Sequence, residues 1–80
     1  PLKEKYAKLE EELNRAMEEE QETEHKLADP ETYADKNLST TLLARYNELK
    51  RLCEKLFLDL EELEGQIRTI EEEAGKGETA

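Results

Sequence analysis

Eighty residues contain no tryptophan, no valine, one cysteine, one histidine, one methionine and one phenylalanine. Each scarcity excludes something. Without valine, and with isoleucine only at 67 and 70, a sheet would lack the residues that usually fill its face, so an all-β or α/β domain is excluded. With 5% aromatic and 35% hydrophobic residues, too little apolar material is present to wrap a deep pocket. That argues against an enzyme with a buried site. A lone Cys53 cannot close an internal disulfide and is compatible with a reducing cytosol. No stretch approaches the roughly 20 apolar residues of a membrane span. The opening Pro-Leu-Lys-Glu-Lys does not read as a signal peptide. The expectation is a soluble, cytoplasmic protein without a membrane partner.

What is abundant is the vocabulary of long helices: thirteen leucines and nineteen glutamates, with 42% of residues charged. Twelve Lys and Arg against twenty-two Asp and Glu leave a net charge of −10. Affinity for duplex DNA comes largely from a cationic face, so this chain as a whole is repelled by nucleic acid and by anionic membranes. Any such contact requires a local basic patch.

Periodicity places a first helix over about residues 2–28. Its apolar residues, Leu2, Tyr6, Leu9, Leu13, Ala16, Met17 and Leu27, recur in steps of four and three, a heptad seam interrupted by Glu20 and Thr23. Glu20 is expected to bend outward, toward Lys50 or water. Residues 29–38 form a corner. Pro30 cannot continue the first helix, and Asp29 with Pro30 makes an N-cap and first-position pair that can start a single helical turn. Tyr33 is expected to cover the open end of the seam. The second helix starts between Leu38 and Thr41, capped by Asn37 or Ser39, and spans about 39–74. Its seam is uninterrupted: Leu42, Tyr46, Leu49, Cys53, Leu56, Leu60, Leu63, Ile67, Ile70 and Ala74. Gly75 and Gly77 are expected to end it and to leave 76–80 as a flexible tail.

Laid against each other, the two seams match as an all-α, antiparallel two-helix coiled-coil hairpin over 1–75. Leu13 faces Leu56, Leu9 faces Leu60, Tyr6 faces Leu63, and Ala16 faces Cys53, with Met17 filling the space beside them. Ile70 and Ala74 have no partners in this register, which points to a piece of a longer protein.

Little in the chain carries chemistry. The acidic runs 10–12, 18–20, 61–62 and 71–73 lack a histidine at ligand spacing and a convergent loop, so they read as solvated faces rather than a metal site. His25 is alone, Cys53 sits on the seam, and no glycine-rich phosphate loop occurs. Catalytic, metal and cofactor-binding residues are therefore none. Two clusters remain. Lys3, Lys5 and Lys8 lie at the open end of the first helix, read either as ordinary charge pairing or as a phosphate contact. Lys50, Arg51 and Lys55 form a basic run that pairs with nearby glutamates. Apolar residues beyond the seam, Leu52, Phe57 and Leu58, read either as flank packing or as a docking face for another domain or for a second copy in isolation.

The corner Leu27-Ala28-Asp29-Pro30-Glu31-Thr32-Tyr33 and the segment Leu56-Phe57-Leu58-Asp59-Leu60-Glu61-Glu62-Leu63-Glu64 together resemble the C-terminal coiled-coil domain of ABC-F ATPases of the Uup-like type. In that family the corner commonly reads Leu-Ala-Asp-Pro, two residues, then Tyr, and the second helix carries a Trp where Leu60 stands. The family's Lys-rich approach to the first helix is represented here only by Lys3, Lys5 and Lys8. The resemblance implies a non-catalytic accessory domain of a parent ATPase that binds ATP and magnesium in two cassettes of the same chain. It implies DNA or ribosomal RNA as the parent's partner. The alternative is a structural coiled-coil module for protein–protein interaction or self-association.

Overall fold

The computed structural model describes residues 1–79, with side chains for residues 1–75. Among them are three helices and no strand: α1 (Leu2–Ala28), α2 (Pro30–Ala34) and α3 (Lys36–Thr79). The molecule is a rod of 68 × 17 × 14 Å in which α1 packs along α3 and α2 bridges the two.

Local chemistry explains the breaks. Glu4 lies in the first turn of α1 and Lys26 in the last, signs that suit the helix dipole. Pro30 forces Asp29 to extended backbone angles (φ −74°, ψ 127°), and α1 stops there. The same Asp29 opens α2, its carboxylate accepting the Glu31 N–H at 3.0 Å, with Pro30 in the first turn. Asp35 repeats the device six residues later. Its backbone is extended (φ −102°, ψ 102°), and its carboxylate accepts the Leu38 N–H at 3.1 Å. The cap of α3 is therefore Asp35, not Asn37 or Ser39, and α3 begins at Lys36, earlier than the periodicity predicts. Apolar periodicity marks only where the buried stripe begins. The first turn of α3 carries no such stripe and is held by its cap.

At the other end α3 runs through Gly75 to Thr79 instead of ending near Ala74. Among the described residues no glycine adopts the left-handed conformation that terminates helices, so Gly75 is simply absorbed. The side chains of the expected tail, 76–80, lie outside the described residues.

The core is a narrow line of side chains between α1 and α3. Leu13, Ala16, Leu49, Leu56 and Leu60 form one buried cluster, joined by Tyr6, Leu9 and Cys53, and Leu63 is buried beyond it. Leu49 is only 1% exposed, the most enclosed of these side chains. Two ion pairs cross between the long helices: Lys3 of α1 meets Glu71 of α3, and Glu19 meets Arg45. The polar break in the α1 seam is satisfied locally, because buried Thr23 donates its hydroxyl to the Glu19 carbonyl at 2.7 Å.

The corner differs from expectation in one side chain. Tyr33 is 77% exposed and covers nothing; its neighbour Thr32 is buried instead. Adjacent helical residues point about 100° apart, and the gap between α1 and α3 takes the small side chain and leaves the ring in water.

Candidate functional site

Two groups of residues carry functional expectations, and the structure treats them differently. The lysines at the start of α1 do not form one patch. Lys3 turns toward α3 and lies 3.5 Å from the Glu71 carboxylate. Lys5 borders a hollow with Asp59, Glu62 and Gln66, so its field is opposed by two carboxylates. Lys8 is exposed. At about 100° per residue, Lys5 and Lys8 are on neighbouring lines of the helix while Lys3 is on another. The basic run on α3 does not pair as expected either. Lys50 stands over the Tyr46 ring, 5.3 Å from its centre, rather than with Glu54 or Glu20.

The apolar surplus splits into two faces. Leu52 lies on one flank of α3, in a hollow bordered by Arg45, Glu19 and Arg15. Phe57 and Leu58 lie on another. There, with Met17, Leu13, Cys53 and Glu54, they line an open groove of about 520 Å³ running between the two long helices. Phe57 is 56% exposed, Leu58 63% and Met17 45%. Met17, expected beside Ala16 and Cys53, lines this groove together with Cys53 but stays about half exposed. Its place one residue past a seam position was the available signal.

Cys53 forms part of the groove floor. Its thiol pKa is raised, first by burial and then by the neighbouring carboxylate of Glu20, which disfavours the thiolate. Glu20 is thus half-buried beside Cys53 and does not bend outward to Lys50. A thiol so placed is a poor nucleophile.

Arg45 is the polar residue that sequence reasoning passed over. Its guanidinium grips Glu19 with two bonds, 2.6 Å and 3.1 Å, and reaches Glu48 at 3.3 Å. The hydrogen bond from Arg45 is the main reason that the Glu19 carboxyl sits below the usual carboxylate range. His25 borders an open hollow with Gln21, Glu24 and Ala28. Among the described residues no three His, Cys, Asp or Glu side chains gather as a metal site, and no helix is long and apolar enough to cross a membrane. Compared with known proteins, the chain matches no family model, no curated protein and no solved structure.

Proposed function

We propose that this chain is an antiparallel two-helix coiled-coil hairpin that serves as the non-catalytic C-terminal accessory domain of a soluble, cytoplasmic ABC-F ATPase, helping the parent to engage DNA or ribosomal RNA. The observation that carries the reading is the corner. Leu27-Ala28-Asp29-Pro30, followed by Tyr33, is the segment on which the family resemblance rests, and Asp29 and Pro30 there end one long helix and start the turn leading to the next. A 68 Å rod about two helices thick supplies reach, not a reaction chamber. ATP and magnesium belong to the cassettes of the parent, and the chemistry would stay there.

The arm itself holds nucleic acid weakly. Lys3 is engaged with Glu71, and Lys5 faces Asp59 and Glu62, so two of the three lysines at the start of α1 already have acidic neighbours that compete with phosphate. Even three phosphate contacts would give a log–log salt slope of only about −2.7 on duplex DNA. The experiment is a comparison of the parent protein with and without these eighty residues. ATP hydrolysis should persist without them, while affinity for labelled duplex or structured RNA falls. A parent that lacks paired ATP cassettes, or that binds nucleic acid equally well without the arm, would refute the reading. For the isolated chain, titration at two salt concentrations should show weak, salt-sensitive binding.

A further inference from the structure

We infer that two copies of this chain associate through the outer flank of α3, related by a two-fold axis that crosses the helix at Leu56 and Phe57. The groove floored by Cys53 and edged by Met17, Phe57 and Leu58 is the starting observation. Large apolar side chains clustered on so charged a surface are a partner's contact, because water around them is displaced favourably by any apolar surface of matching shape.

The charges around the groove identify the partner as a second copy. Arg51 lies one to two turns before Phe57, and Glu61 about one turn after it. Among the described residues neither forms an ion pair within the chain, whereas Arg15, Arg45 and Arg68 each do. An unpaired cation thus stands at one end of the apolar patch and an unpaired anion at the other. Arg51 and Glu61 lie five residues to either side of Leu56, on the outward strip of α3 that also holds Glu54 and Leu58. A two-fold axis there sets Arg51 of each copy against Glu61 of the other, and Phe57 beside its own counterpart. Leu58 then faces the groove of the opposite copy near Glu54, whose carboxylate stays at the wet rim. A second copy running the same way would instead oppose Glu61 to Glu61 and is disfavoured. The arrangement is isologous and closes at two.

The test is the oligomeric state of the eighty-residue chain, by sedimentation equilibrium over micromolar to millimolar concentration, with circular dichroism to check that helicity is kept. A salt-sensitive monomer–dimer equilibrium is expected. Arg51→Glu and Glu61→Arg, both at exposed positions, should each weaken dimerisation about tenfold, since each turns two attractive contacts into two repulsive ones. An equimolar mixture of these two variants should recover dimer as a heterodimer, because each copy then meets opposite charge at both positions. Phe57→Glu should leave a monomer. A chain that stays monomeric throughout, or a dimer indifferent to the two charge reversals and their mixture, would overturn the inference.

Discussion

Arg45 and Glu19, twenty-six residues apart in sequence, are joined by a two-pronged ion pair with N–O distances of 2.6 Å and 3.1 Å. The pair spans α1 and α3 beside buried Leu49, at the stretch where the α1 seam turns polar at Glu20 and Thr23. Both side chains are about half exposed, so the contribution is modest and screened by salt.

Its pH dependence follows from the direction of the Glu19 shift. The folded-state pKa is depressed, chiefly by the Arg45 hydrogen bond, so the stabilisation is present above the unfolded carboxylate pKa and is lost as pH falls through the lowered value. Glu19→Gln should therefore lower the melting temperature slightly at pH 7. The gap to the parent chain should narrow in high salt and close in acid. Thermal melts of both chains followed by circular dichroism across pH 7 to about pH 3 measure this, and a gap that widens in acid contradicts it.

Leu49, at 1% exposure in the first half of α3, is the most enclosed side chain of the core. Leu49→Ala should destabilise by about 2–5 kcal/mol, enough to threaten an eighty-residue fold. Leu43→Ala, at an exposed site on the same helix, should cost no more than about 0.5 kcal/mol. Urea denaturation of the two variants at equal protein concentration separates them.

The two aspartates of the corner should each matter, and their neighbours should not. Asp29→Ala and Asp35→Ala each remove a carboxylate that accepts a helix N–H, and each should cost about 1 kcal/mol. Asn37→Ala and Ser39→Ala should be near neutral, since these residues already lie inside α3. Equal losses at Asn37 and Asp35 in chemical denaturation would move the cap away from Asp35.

Cys53 should react slowly with thiol reagents. Burial and the Glu20 carboxylate both raise its pKa, so the rate–pH curve should rise later than that of a free thiol, whose ordinary value is about 8.5. Glu20→Gln removes the repelling charge and should shift the curve toward lower pH. It should not restore free-thiol behaviour, because burial is the larger cause. Alkylation rates between about pH 7 and 10 provide the readout.

Much of this molecule is written in one dimension. The four–three spacing of leucines determines that Leu13, Leu49, Leu56 and Leu60 are buried, because a period near 3.5 can be satisfied only by a helix with one apolar stripe. Asp29 and Pro30 determine where α1 must stop, since proline restricts its own backbone and that of the residue before it. The tertiary structure alone decided matters that turn on phase and register. Asp35, Asn37 and Ser39 are all competent caps, and the choice fell to Asp35 only because α2 ends there with that residue extended. Thr32 and Tyr33 compete for one gap, and the rotation of a single helical turn settles it for the smaller. Lys3 finds Glu71 and Glu19 finds Arg45 because two stiff helices, once their leucines interlock, bring distant charges together. The seam carries the large burial energy and is legible in sequence. Surface charges have many neighbours of similar weak energy, so their partners are set only after the seam has aligned the helices.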